Sequence, residues 1–294
     1  MNVLFVNGSR ADSLSGISYY NPTFLYGISC FEGIRAYWNP DKRQLVFLDL
    51  DEHLHRLFKS AEFMSFRSPV TLAELRDEVI RIARQEQVRE NCYVRITFYL
   101  GGDGSWHSTN DVHYMVSIRS MTSELGLRAP AAVGITHFRR ISSNAMPAHV
   151  KAGANYLNSR YAMMDVRARG FDDALFMTSD GALSEATGST LFLFKEGEIH
   201  TPSLDCDILP GITRARLIRL CEASGVKVRE ERILANDLAI FDGAVLTGTM
   251  VEIRPVSRLE SRVLPTSSPM HLRLYNLFRD FAYEAGHWNC HVDY

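Results

Sequence analysis

Apolar positions along the chain fall into two periods. Residues 51–64, DEHLHRLFKSAEFM, carry Leu54, Leu57, Phe58, Ala61 and Met64 at helical spacing, with Asp51 placed to cap the start. A second helix is predicted over 71–85, with Leu72, Leu75, Val79, Ile82 and Ala83 on one face. Tyr93 to Leu100 alternates instead, as a strand does, and puts Tyr93, Arg95, Thr97 and Tyr99 on one side. His113 to Ser120 reads as a further strand. Residues 15–50 read as short strands joined by turns: Phe24 to Gly27 leads into Phe31 to Tyr37, Asn39 to Lys42 turns, and Gln44 to Leu48 resumes.

The same two periods continue beyond residue 130. Ala131 to Ile141 reads as strand. Leu157, Tyr161, Met164 and Ala168 have helical spacing, and Gly170 is a natural stop. Thr190 to Phe194 and Glu198 to Thr201 flank Lys195-Glu196-Gly197, a hairpin pattern. Leu209-Pro210-Gly211-Ile212-Thr213-Arg214 opens a helix with Leu217, Leu220 and Cys221 on its apolar face, ending near Gly225. A last helix starts at Pro269, with Leu272, Leu274, Leu277, Phe278 and Phe281 as its apolar set.

Strands and helices in this mixture indicate a mixed α/β fold. A chain of 294 residues is long for a single core and suggests two domains. The expected division is a smaller N-terminal α/β domain over 1–124, a linker over 125–130 and a larger C-terminal α/β domain over 131–294. A net charge of −2 gives no general electrostatic reason to bind nucleic acid or an anionic membrane. No apolar run reaches the length of a membrane span, and the start MNVLFVNGSRADS lacks the pattern of a secretory signal. Five scattered cysteines with no CxxC pair indicate neither a zinc site nor a disulfide framework. The expectation is a cytoplasmic protein without a metal.

Few residues carry candidate chemistry on their own. Lys151 stands among Ala152, Gly153 and Ala154. Such a lysine is ordinarily a solvated charge, yet a partly buried one can serve as a Schiff-base amine. Arg95 sits in mid-strand, where a buried charge demands a partner. His53 and His55 are two residues apart on a helix, so they do not converge as metal ligands. The helix start at Ile212 and Thr213 offers amides and a hydroxyl to an anion.

Taken as strings, these segments say more. K-A-G-x-N-Y at 151–156, G-F-D-x-A-L after the next helix, and S-E-A-T-G at 184–188 resemble the core of the branched-chain aminotransferase family. The resemblance extends to Y-G-x-S-x-F-E-G-I-R-A-Y at 26–37, H-x-x-R-L at 53–57, Y-x-R at 93–95, L-P-G-I-T-R at 209–214 and the turn around Gly248-Thr249. Members are class IV, fold type IV enzymes that use pyridoxal 5'-phosphate (PLP), with two domains and the active site between them. The resemblance implies that Lys151, in the C-terminal domain, is the Schiff-base lysine and then the general base. It implies that Glu185 meets the pyridine nitrogen, Tyr156 the ring oxygen, and Leu209 the ring. Arg56, Ile212, Thr213 and Thr249 would hold the phosphate.

The substrate side would comprise Tyr26, Phe31, Gly33, Arg35, Tyr93, Arg95 and Met250. Gly33 would leave room for the substrate side chain, and Tyr93 with Arg95 would recognise carboxylates. The implied substrates are an L-amino acid with a branched or related apolar side chain, and 2-oxoglutarate or glutamate. A homodimer or dimer of dimers is implied, with residues 102–110 reaching the neighbouring site. Thr190, Met250 and Gly243 depart from the family pattern, and the loop bearing Trp106 and His107 matches it poorly. A specialised biosynthetic donor therefore stays open. D-Amino-acid transaminases and aminodeoxychorismate lyases share the lysine and glutamate but lack F-E-G-I-R. A non-enzymatic binding protein would need no such set of residues together.

Overall fold

The computed structural model describes residues 1–13, 18–126, 128–283 and 289–294. The start of the strand reading at 15–17 and Leu127 of the expected linker lie outside the described residues. The chain groups into two compact units. The first comprises Met1–Ser123, Val150–Ala154 and Phe281–Tyr294, and the second Glu124–His149 and Asn155–Asp280. The lysine segment, expected with the C-terminal half, thus groups with the N-terminal unit, because its backbone pairs there.

The first unit is built on an antiparallel sheet. Its strands are β1 (Asn2–Val6), β2 (Ser9–Ala11), β3 (Ser29–Asn39), β4 (Gln44–Phe47), β5 (Cys92–Leu100), β6 (Val112–Ser120) and a final strand Cys290–Asp293, which pairs with β4. The order across the sheet is final strand, β4, β3, β5, β6, β1, β2. Helix α1 (Pro22–Tyr26) lies where strand was expected. Asn21 caps it by accepting from the Phe24 amide, Pro22 starts it, and Gly27 ends it at φ 70°.

Helix α2 (Leu50–Phe63) starts with Asp49 as its N-cap, so Asp51 lies inside the first turn and is not the cap. Helix α3 (Leu72–Gln85) begins with a capping box between Thr71 and Glu74. Leu54, Leu57 and Ala61 of α2 and Leu75, Val79 and Ile82 of α3 join Ile34, Val94, Ile96 and Phe98 of the sheet in one apolar core.

The second unit has a mixed sheet. Its strands are β7 (Ala131–Arg139), β8 (Asp173–Met177), β9 (Leu183–Ala186), β10 (Thr190–Lys195), β11 (Glu198–Pro202), β12 (Val228–Glu231), β13 (Gly243–Gly248), β14 (Glu252–Leu259) and β15 (Arg262–Val263). They run in the order β12-β11-β10-β13-β14-β7-β8-β9, with β15 on β14. The expected hairpin forms, turning through Glu196 at φ 50° and Gly197 at φ 80°. Parallel β7 and β8 are joined through α4 (Tyr156–Ala168), and α5 (Ile212–Ala223) and α6 (Pro269–Tyr283) complete the helices.

The face of α4 is the reverse of the one expected. Ser159, Ala162 and Val166 are buried, whereas Leu157, Tyr161 and Met164 are exposed. Two stripes share helical spacing, and the one with small side chains is the one packed against Phe171, Ala174 and Phe176.

Candidate active site

Lys151 is held by its backbone on both sides. The Phe31 amide donates to the Lys151 carbonyl at 3.1 Å, and the Gly153 amide donates to the Ser29 carbonyl at 2.8 Å. Ala152 and Cys30 form the antiparallel bridge between them. On α2, the Ser60 hydroxyl accepts from the Lys151 amide at 3.2 Å. A Cβ on Gly153 would lie 2.6 Å from the Ser29 hydroxyl, which would have to turn aside to admit it. The short extra strand fixes where the lysine leaves the chain. Its Nζ lies 4.9 Å from the centre of the Phe31 ring.

The pleat of β3 and β5 assembles most of the expected substrate residues. Phe31 faces Thr97, Gly33 faces Arg95 and Arg35 faces Tyr93 in the antiparallel register. All six therefore share one side of the sheet, and Glu32 and Ile34 point to the helix-covered side. The diagonal neighbours touch. Arg95 is exposed, and its guanidinium lies 3.7 Å from the centre of the Phe31 ring. The Tyr93 phenol lies over Gly33 so closely that a Cβ there would collide with it. The room at Gly33 is thus taken by Tyr93. Arg35 is buried, donates to the Thr122 carbonyl at 3.1 Å and lies over Tyr37. Tyr26 ends α1 and is half exposed.

Arg56 sits on α2 against a fully buried carboxylate. Its Nε donates to Glu32 Oε1 at 2.6 Å and its Nη2 to Glu32 Oε2 at 2.9 Å. His53, one helical turn earlier, places Nδ1 2.7 Å from the same Oε2. Burial alone would raise the Glu32 pKa, but the Arg56 charge and the His53 contacts outweigh it and hold the carboxyl down at about 2.

In the second unit, Glu185 lies on β9 and is 8% exposed. Its Oε1 accepts from Arg140 Nη2 at 2.7 Å and from the Leu209 amide at 3.2 Å. Arg140 also donates to the Asp207 carbonyl at 3.3 Å and lies over Phe176. The turn after Glu185 is anchored by Asp173, whose Oδ1 accepts from the Thr187 hydroxyl at 2.6 Å. Burial raises the Asp173 pKa, against the pull of that hydroxyl and of neighbouring amides.

Ile212 and Thr213 occupy the first turn of α5, whose N-cap Gly211 supplies no side-chain acceptor. Arg214 pins that turn by donating to the Pro202 carbonyl and pairing with Glu230, each at 2.8 Å. Thr249 and Met250 lie in the turn between β13 and β14. The Thr247 hydroxyl donates to the Glu252 carbonyl at 3.0 Å across its base, and the buried Glu252 carboxylate accepts from the Glu124 amide at 3.0 Å. Tyr156 begins α4 and is 39% exposed. Thr190, one of the departures, is buried at the start of β10 opposite Thr247.

Sequence reasoning missed Glu32, His53 and Arg140 as site residues. For Glu32 a signal existed: a charge inside an apolar strand, with His53 and Arg56 three apart on one helix face. Arg140 is 45 positions before Glu185 (185 − 140), and no spacing rule links them. Among the described residues, no group of three His, Cys, Asp or Glu side chains could hold a metal.

The family described as class IV amino-transferase matches residues 29–259. A probable branched-chain-amino-acid aminotransferase of Aquifex aeolicus is 32% identical over 253 residues, 84% of this chain and 80% of that protein. A branched-chain amino acid aminotransferase from Thermobaculum terrenum in PLP-form has a TM-score of 0.91 at 26% identity, covering 98% of this chain and 97% of that one. The branched-chain aminotransferase of the thermophilic archaeon Thermoproteus uzoniensis, solved with norvaline, has a TM-score of 0.90 at 28% identity, with coverage of 98% of both chains.

The contact between Gly33 and Tyr93 is testable apart from any activity. Gly33→Ala is expected to cost about 1–3 kcal/mol through overpacking. In a Tyr93→Ala background the same change should cost less than half as much, by urea unfolding of all four proteins. Additive costs would show that the two residues do not meet.

Proposed function

The chain belongs to the class IV aminotransferases, and from that premise we propose that it moves an amino group between an L-amino acid with an apolar side chain and 2-oxoglutarate. PLP is the cofactor of this activity. The donors suit it unit by unit: a pinned lysine and a carboxylate-held arginine in the first, and a buried carboxylate beside an arginine and an uncapped helix start in the second. The observation that carries the reading is Lys151, whose backbone amide and carbonyl are both hydrogen-bonded, with Gly153 fastening the strand two residues on, while its amine lies on the Phe31 ring.

PLP supplies an electron sink for the bond broken at the substrate Cα. The chain's own residues do the rest. Lys151 Nζ would hold the cofactor and, once displaced by the substrate amine, carry the proton from the substrate Cα to the cofactor C4′. Glu185 would accept a hydrogen bond from the pyridine N–H and so keep that nitrogen protonated, with Arg140 and the Leu209 amide keeping its carboxylate in place. Arg56, Thr213, Thr249 and the Ile212 amide would bind the phosphate. Leu209 would pack on the ring, and Tyr156 would donate to the ring oxygen. Phe31 and Tyr26 would form an apolar wall near the substrate side chain, with Arg35 beside them, and Tyr93 and Arg95 would receive carboxylates. Met250 lies in the turn that meets the α-carboxylate.

Branched-chain donors are supported by the relatives' names. A specialised donor is favoured by Met250 and by the exposed Trp106 beside His107. Half-reactions with leucine, phenylalanine, methionine, glutamate and D-alanine, followed by the change in cofactor absorbance, decide between them. One methylene shifts kcat/KM by about 10–200-fold, so the ranking is resolvable. We expect glutamate and at least one apolar L-donor to react, and Lys151→Ala to react with none. Preference for D-alanine would refute the reading.

A cytoplasmic homodimer or dimer of dimers, without nucleic-acid or membrane partners, completes the proposal. Among the described residues no helix is long and apolar enough to cross a membrane. Leu157, Tyr161 and Met164 form an exposed apolar stripe on α4, and Tyr20, Phe24 and Trp106 are exposed in the first unit. A second copy would cover such surface, with residues 102–110 serving the neighbouring site. Sedimentation should give at least twice the 33.3 kDa chain mass. A fully active monomer would contradict this.

A further inference from the structure

We propose that Glu32, backed by His53, is the positioning residue that aims Arg56 at the cofactor phosphate. This rests on the assignment of Arg56 to the phosphate and goes beyond it to the residues that make the arginine usable. Arginine on a helix surface samples many rotamers, and its affinity for an anion is reduced by the entropy of holding one of them. Here two of its five N–H donors are fixed by one carboxylate, at 2.6 and 2.9 Å, so the guanidinium plane and its position along α2 are set. The carboxylate is itself immobile. It is 0% exposed, projects from the middle of β3 and is gripped by His53 at 2.7 Å.

Charge alone predicts the opposite sign from positioning. A glutamate beside the arginine lowers the net positive potential felt by a phosphate, so Glu32 as a mere charge weakens phosphate binding. Glu32 as a positioning residue strengthens it, because a pre-aimed fork needs no ordering when the ligand arrives. A purely structural role would alter the binding of any form of the cofactor alike. The phosphate is what separates these cases, since pyridoxal presents the same ring and aldehyde without it.

The test compares PLP and pyridoxal on the full-length cofactor-free protein. Dissociation constants from absorbance titration would be measured for the wild type, Arg56→Gln, Glu32→Gln and His53→Gln. In the wild type PLP should bind far more tightly than pyridoxal, and Arg56→Gln sets the size of the phosphate contribution. Glu32→Gln should weaken PLP about tenfold or more, as loss of a charge-assisted pair does, and leave pyridoxal within about twofold. His53→Gln should shift the same ratio in the same direction by a smaller factor. Should Glu32→Gln not fold, the His53→Gln ratio decides alone. Equal weakening of both ligands, no change in the ratio, or tighter PLP binding would overturn the proposal. A wild type that does not prefer PLP would overturn it together with the assignment of Arg56.

Discussion

Two backbone hydrogen bonds, between Phe31 and Lys151 and between Gly153 and Ser29, determine where the lysine stands. Each is worth only about 1 kcal/mol of stability. Their effect is geometric. They make residues 151–153 an added edge to β3, so Lys151 leaves the chain from an element already fixed by β5, α2 and α3. Proton transfer at a substrate carbon tolerates little misplacement of the base, and a rigid sheet supplies that precision better than a free loop. Phe31 lies at the centre of this arrangement. Its amide holds the lysine backbone, and its ring lies against both Lys151 Nζ and the Arg95 guanidinium.

A second constraint recurs away from the lysine. Glu32, Glu185 and Glu252 are each buried, and a lone buried carboxylate costs several kcal/mol. Each is placed against donors: Arg56 and His53, Arg140 and the Leu209 amide, and the Glu124 amide. Two of the three involve residues assigned to the cofactor. The burial that makes such acids expensive also makes their partners immobile. Arg56 is fixed by a carboxylate buried behind it, Glu185 by the donors around it, and the backbone at Glu124 by Glu252.

What could be read in advance was what is local. The alternation in Tyr93 to Leu100 placed Tyr93 and Arg95 on one side, and the structure adds Phe31, Gly33 and Arg35 opposite them through register. The helices at 50–63 and 72–85 follow from apolar spacing, because each has a single broad apolar face. Where two stripes compete, spacing fails. On α4 the small stripe of Ser159, Ala162 and Val166 packs inward, and the larger Leu157, Tyr161 and Met164 do not. At α1 the Asn21-Pro22 start and the Gly27 stop outweighed the aromatic content that reads as strand. Glu32 with Arg56, Arg140 with Glu185, and the final strand on β4 join residues distant in sequence. Sheet register and tertiary packing bring them together, and neither is written in local periodicity.

Everything proposed for this site depends on Lys151 being the amine that carries the cofactor. The chain contains five lysines, Lys42, Lys59, Lys151, Lys195 and Lys227, so the claim can be put to a direct choice. Borohydride reduction of the PLP-loaded protein, followed by proteolysis and mass spectrometry, would locate the pyridoxyl group. It is expected on the peptide containing Lys151 and on no other. A pyridoxyl group on Lys59 or any of the remaining three, with Lys151 unmodified, would contradict it.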